Sequence, residues 1–367
     1  MRRRTMVRGL ATGTAVGLAG CITRNDDDEP NGEEPIDPDG EDEGTLRVAT
    51  YSSLLAGEQS AGEWLAEAFE DAYPDATLEW VVPESGIDHY VQRARYHAEI
   101  DVDVFLGVTV DQLVRIDTTL ASRLFGSLER GRLEHAGRVR DDLAFEEPHD
   151  RAIPFGTGYV SLVYDERDLE TPATFADLLE DAYEDALLTQ DPRYSRPGRA
   201  FLLWTIAAYG EDYLEFWRSL AANGVEIRDR WSDAYLGDYL EGERPMVVSY
   251  STDRVGAITA DRNLDRHQVA TLEESGYRTT EAIAIFEATT KRELAYQFVD
   301  FVLSREIQAE LATRNVQFPA VTDEYVDLEG QFEMAAVEPE ESVAFDYEEL
   351  YDDLGNWLVE WEATIID

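Results

Sequence analysis

The sequence predicts an α/β fold of two lobes, each a mostly parallel sheet flanked by helices. Three observations carry this. Strand and helix patterns alternate along the chain, no internal repeat interrupts them, and residues 45–367 suffice for two domains of ordinary size. Residues 46–50 read as the first strand. Trp64, Leu65, Ala68, Phe69, Ala72 and Tyr73 then recur at helical spacing until Pro74 stops the helix. Residues 78–82 read as a strand, 87–98 as a helix and 102–108 as a strongly apolar strand. This βαβαβ order implies parallel strands with helices on the sheet faces. Ligands in such sheets lie beyond the carboxyl ends of the strands. Tyr51, Ser85 with Gly86, and Gly107 follow three consecutive strands and so belong to one rim.

The alternation resumes with a strand at 159–164, a helix at 197–209 and a strand at 246–250. A strand at 282–286 then leads into a helix with Leu294, Ala295, Phe298, Val299, Val302 and Leu303 on one face. Gly156-Thr157-Gly158 lacks the rest of a dinucleotide fingerprint and reads as a hinge or turn. Lobe I is expected to comprise 45–152 with 278–367, and lobe II 153–277, joined near Ile153 and Thr280. A ligand held from both lobes would favour the closed arrangement through its differential affinity.

Residues 1–21 read as an export signal. Arg2, Arg3 and Arg4 precede an apolar stretch too short to span a bilayer, which ends in Leu18-Ala19-Gly20-Cys21. That ending resembles the lipobox of bacterial and archaeal lipoproteins, implying cleavage before Cys21 and a lipid attached to it. The arginine cluster loosely resembles a twin-arginine signal. Residues 22–44, crowded with Asp, Glu, Pro and Gly, read as a disordered tether between membrane and globular body. Cys21 is the sole cysteine, which excludes an internal disulfide and a multi-cysteine metal site.

The chain carries 78 Asp plus Glu against 31 Lys plus Arg, a net charge of −47. Self-repulsion on this scale destabilises a compact fold at low salt. At molar salt the Debye length shrinks to about 3 Å and the repulsion is screened. The composition fits a haloarchaeal protein facing brine, and it argues against nucleic-acid binding, which wants a basic surface.

Three segments concentrate aromatic and small polar groups. In the first, residues 190–199, Ser195 can cap a helix with Pro197 in its first turn, and Arg193, Arg196 and Arg199 favour an anion there. Ordinary surface arginines on a capped helix fit the same residues equally well. The second is Trp231-Ser232-Asp233-Ala234-Tyr235. The third, Ser249-Tyr250-Ser251-Thr252-Asp253, ends a strand with a run of hydrogen-bonding side chains. Trp231 and Tyr250 beside such loops suit stacking on a planar cation, at about 0.5–2 kcal/mol per ring. Asp253 or Glu84 can add charge complementarity.

These segments, with Val48-Ala49-Thr50-Tyr51, Val104-Phe105-Leu106-Gly107, Pro154-Phe155, Gly158-Tyr159, Val163-Tyr164-Asp165 and Phe318-Pro319-Ala320-Val321, resemble the thiamine-binding proteins of bacterial ABC importers. Gln-Asp-Pro-Arg and Trp-Ser-x-Ala-Tyr are the specific pieces, and the resemblance runs from Leu46 to Trp361. It implies the type 2 periplasmic-binding-protein fold. It also implies ligand contacts at Tyr51, Ser85, Gly86, Ser195, Arg196, Trp231, Tyr250, Ser251, Thr252 and Asp253. The implied ligand is thiamine, thiamine monophosphate or thiamine diphosphate, with no cofactor. The implied partners are an ABC permease and ATPase, served by a monomer that meets the membrane through its lipid anchor. Four departures stand out. Ser85 replaces a frequent aspartate, Asp253 a usual serine and Val316 a tryptophan, and a second family tryptophan has no counterpart among Leu54 to Ser60. Phe318 or Trp64 would have to complete the aromatic cage.

The alternatives are another type 2 cargo (ferric iron, a polyamine or an organic anion) or an enzyme. Thiamine-degrading enzymes of this fold use a cysteine nucleophile, and the body has none. There is no Gly-x-Ser-x-Gly elbow. His89, His97, His135, His149 and His267 show no metal spacing and read as surface or structural residues. The chain is therefore expected not to be an enzyme and to bind no metal.

Overall fold

The computed structural model describes residues 44–57, 60–328 and 330–366. It opens with β1 (Thr45–Ala49), α1 (Ala61–Ala72), β2 (Thr77–Val81), α2 (Ile87–Arg95), β3 (Val104–Val108) and α3 (Val110–Thr119). β1 lies parallel to both β2 and β3. β3 is buried along its whole length, so its sequence reads as an unbroken apolar run. α1 begins where Ser60 accepts a hydrogen bond from the Glu63 amide at 3.2 Å.

β4 (Ala152–Tyr164) leaves this set for a second one. That set holds β5 (Leu187–Gln190), α4 (Arg196–Tyr209), α5 (Tyr213–Ala222), β6 (Glu226–Arg228), β7 (Met246–Tyr250) and α6 (Asp253–Thr259). β5 lies parallel to β6 and to β7. After β8 (Gln268–Ala270), β9 (Ser275–Ile285) returns antiparallel to β4 and pairs with β3. The chain closes with α7 (Arg292–Val302), α8 (Arg305–Arg314), β10 (Phe318–Pro319), α9 (Gly330–Ala335), β11 (Glu341–Val343) and α10 (Tyr347–Ile365). The strand order β2-β1-β3-β9-β4-β7-β5-β6 sets two parallel trios on either side of two long antiparallel strands.

Gly156-Thr157-Gly158 lies inside β4 rather than in a turn. Gly156 lies beside the side chain of Gln317, just before β10: a Cβ at Gly156 would sit 2.1 Å from the Gln317 Nε2. β9 starts seven residues before the apolar run at 282–286, because its polar first part pairs with β4 between the trios. Apolar periodicity does not register such a stretch. Residues 233–239 form a π-helical turn where a polar loop was read.

α10 carries a capping box. The Asp346 carboxylate accepts from the Glu349 amide at 2.8 Å, and the Glu349 carboxylate accepts from the Asp346 amide at 3.0 Å. The helix touches both trios. Tyr347 donates to Asp117 of α3, and Trp361 meets Trp217 of α5 edge-on at 5.3 Å. Buried Trp204 and Trp217 each satisfy their indole N–H, on Ser275 and Thr205 respectively.

Candidate functional site

Residues 190–198 aim the first functional side chain. Buried Asp191 accepts from the Arg193 amide at 2.9 Å and its guanidinium at 2.6 Å, folding the Asp-Pro-Arg turn. Gly198 lets α4 sit directly on the end of β5, since a Cβ there would lie 2.2 Å from the Gln190 carbonyl oxygen. Arg196, the first helical residue, thereby reaches from the second trio to the first. Its guanidinium lies 4.8 Å from the Tyr51 ring centroid. One Nη pairs with Glu281 at 2.5 Å, and the other donates to the Gly107 carbonyl at 2.7 Å. The Tyr51 hydroxyl donates to the second Glu281 oxygen at 2.7 Å and accepts from Asn315 at 2.8 Å. Gly107 must be glycine here: its φ is +102°, and a Cβ would meet the Tyr51 ring at 2.5 Å. One turn along α4, Arg199 pairs with Asp111 of α3 at 2.5 Å.

A cavity of about 280 Å³ opens beside this cluster, lined by residues that include Arg196, Arg199, Tyr250, Tyr277, Thr280 and Glu281. Burial raises the Glu281 carboxyl above its ordinary value, while Arg196 and the Tyr51 hydrogen bond pull the other way. Burial, then the neighbouring Glu281 charge, pushes both the Tyr51 and Tyr250 hydroxyls up. The wall thus offers neutral phenol rings and a carboxylate whose charge is costly unless a cation faces it. Such a wall can hold a flat cation by its faces and its edge.

Of the residues named from the sequence, Tyr51, Arg196 and Tyr250 meet here. Trp231, Ser251, Thr252 and Asp253 belong to a second cluster. Trp231 stacks on Tyr235 at 4.7 Å and donates to Ser249 at 3.1 Å. Tyr235 donates to Asp253, whose other oxygen lies 2.6 Å from His267 Nδ1. Asp253 is only 8% exposed and His267 2%. Asp253, expected to face a ligand, is thus engaged inside its own trio, and His267 is a structural residue. Thr252 donates to the Val316 carbonyl at 2.7 Å. Val316, with φ +54°, is a β-branched residue in the left-handed region, held there by this bond. Ser251 is fully buried, and its hydroxyl has no hydrogen-bond partner among the described residues.

Ser85 is exposed and Gly86 half-buried at the rim after β2, where their carbonyls accept from the Asp88 and His89 amides. Ser195 is buried, with its hydroxyl unpartnered among the described residues. It occupies the N-cap position of α4 without a side-chain capping bond; Pro197 at the second helical position removes one of the two donors such a cap can use. Trp64 lies under Arg314 at 5.0 Å, and Phe318 packs edge-on against Tyr159 at 5.7 Å and Phe332 at 5.5 Å, so both rings are engaged elsewhere. Cys21 falls outside the described residues. Sequence reasoning missed Glu281, Asn315 and the Arg199–Asp111 pair. Glu281 did leave a signal, as a lone acid opening the apolar run 282–286. Among the described residues, no three or more His, Cys, Asp or Glu side chains cluster so as to hold a metal ion, and no helix is long and apolar enough to cross a membrane.

Comparison with known proteins agrees with this architecture. The thiamine-binding periplasmic protein of Salmonella typhimurium is 30% identical over 322 residues, covering 87% of this chain and 93% of its own length. The thiamine-binding periplasmic protein of Escherichia coli is 30% identical over 326 residues, with the same coverage. A solved periplasmic thiamin binding protein superposes with a TM-score of 0.73 at 29% identity, over 88% of this chain and 96% of that one. The ferric ion-binding protein A of Pasteurella haemolytica, at 14% identity and a TM-score of 0.69, shares the fold alone. The fold is accordingly that of type 2 periplasmic binding proteins, and these relatives are binding proteins, not enzymes. With a family model matching residues 118–351 as well, the chain belongs to the bacterial extracellular solute-binding protein family.

Proposed function

We propose that this chain is the exported receptor of an ABC importer and that its cargo is thiamine or a thiamine phosphate. The observation that carries the reading is the cavity wall supplied by Tyr250 and Glu281, with Tyr51 hydrogen-bonded to that same Glu281. Two phenol rings and a buried carboxylate complement a flat cation such as a thiazolium or a protonated aminopyrimidine. The names of the two relatives at 30% identity support the same cargo. The lobes, 45–152 with 278–367 and 153–277, close on the ligand around β4 and β9. The unpartnered hydroxyls of Ser195 and Ser251 are further contacts to be filled. Trp231, Thr252, Ser85 and Gly86 complete the proposed set, while Asp253 supports Tyr235 from behind rather than meeting the ligand.

The receptor is tethered outside the membrane through lipid on Cys21, works as a monomer and hands its cargo to a permease driven by an ATPase. A net charge of −47 calls for assays in molar salt. Titration with thiamine, its monophosphate and its diphosphate, followed by tryptophan fluorescence and calorimetry, tests the cargo. A saturable response to at least one of the three is expected. Silence with all three overturns the assignment.

A further inference from the structure

Arg196 is the only side chain of the second trio described here as stacking on the Tyr51 ring, and it does so as a flat cation. Its guanidinium lies 4.8 Å from the ring centroid, with one edge on the Glu281 carboxylate at 2.5 Å and the other on the Gly107 carbonyl at 2.7 Å. A ring face, a carboxylate and a carbonyl acceptor are what a planar organic cation with an N–H edge requires. The pair is screened only in part, with 22% of the Arg196 side chain and 18% of that of Glu281 exposed. The carboxylate is on β9 between the trios, the ring on the rim after β1, and the arginine on α4.

We infer that Glu281 and Tyr51 form a cation subsite, and that Arg196 is its internal occupant, displaced when a cationic ligand enters. The inference deepens the proposed function and rests on it for the identity of the ligand. Two consequences follow. Glu281 and Tyr51 select for positive charge in the ligand. Arg196 competes with the ligand, so affinity is lower than the subsite alone would give, and the displaced guanidinium is free to pair with an anionic group on the same ligand. Asn315, which donates to the Tyr51 hydroxyl at 2.8 Å, keeps the ring in place during the exchange.

The test uses the purified chain in molar sodium chloride, with two readouts. In the first, Arg196→Ala is melted with and without millimolar methylguanidinium. The ion should raise the melting temperature of Arg196→Ala, and should do so neither for the wild type nor for Arg196→Ala/Glu281→Gln. Equal responses from all three would overturn the subsite, whatever the natural cargo. In the second, thiamine is titrated calorimetrically. Arg196→Ala should bind about tenfold tighter and Glu281→Gln at least tenfold weaker than wild type. Arg196→Gln, which keeps a polar head near the Gly107 carbonyl, should also tighten binding and guards against misfolding of the alanine variant. Weaker thiamine binding by both Arg196 variants would overturn the displacement. Methylguanidinium rescue without any thiamine response would leave the cation subsite standing and remove thiamine as its ligand.

Discussion

Two clusters in this molecule use the same chemical parts to different ends. Tyr51, Glu281 and Arg196 come from the rim after β1, from β9 and from α4, and Glu281 and Arg196 line the cavity. Tyr235, Asp253 and His267 also combine a phenol, a carboxylate and a nitrogen base, yet they lie within one trio, 5%, 8% and 2% exposed. The first cluster joins elements from both trios, and its ring face and carboxylate are both engaged by the one arginine side chain. The second is sealed, and its polar atoms are committed to one another. Residue types alone therefore do not separate a binding site from a structural network. What separates them here is whether the contributing elements come from one strand trio or from both.

The contrast can be broken most sharply at Asp253. Asp253→Ala leaves Tyr235 and His267 buried without their shared partner, and it should cost about 2–5 kcal/mol in denaturant unfolding, from two buried polar groups left unpaired. A loss under about 1 kcal/mol would mean that the second cluster is not sealed. Gly107→Ala is next in size. Left-handed backbone and the encroaching Tyr51 ring should together cost about 1–3 kcal/mol of stability, and ligand affinity should fall because the ring is pushed aside. Wild-type affinity in a folded Gly107→Ala protein would detach Tyr51 from the site.

Tyr250→Ala tests the cavity wall at a smaller scale. It should weaken thiamine binding by about 0.5–2 kcal/mol, read by calorimetry, with unfolding changed less than in Asp253→Ala. The reverse pattern would move Tyr250 into the structural class. The smallest effect concerns pH. The folded-state value of Glu281 lies above its ordinary 4.5, so the folded chain binds more protons than the unfolded one in the window just above that value. Its contribution to stability therefore falls as pH rises through this window. Subtracting the melting profile of Glu281→Gln from that of the wild type should isolate the decline. A difference that does not change with pH would place Glu281 in a well-solvated setting.

Much of the frame was legible from local pattern. The strands around 46–50, 78–82 and 104–108 and their helices show clear apolar periodicity, because each packs one face or one stripe against a core. The βαβ rule alone placed Tyr51, Ser85 with Gly86, and Gly107 after three strands that do run parallel. Other readings failed for identifiable reasons. Gly156-Thr157-Gly158 has turn composition, yet it runs inside β4, where Gly156 leaves room for the Gln317 side chain. Ser195 has the right neighbours for a cap, but the following proline removes a donor. Arg199, read equally as an anion-facing or a surface cation, is 4% exposed because α3 supplies Asp111 opposite it.

By itself, the sequence determined the α/β class, the order of strands and helices, the acidic composition and the parallel pairing of the first three strands. These follow from spacing, capping and composition, which act over a few residues or over the chain as a whole. Tertiary structure alone decided which aromatic and acidic side chains are partners. Arg196 faces Tyr51 and Glu281, while Asp253 turns inward to His267, because β4 and β9 bring the two trios together at one particular register. That register is set by strand pairing between residues far apart in the chain, where local periodicity carries no information.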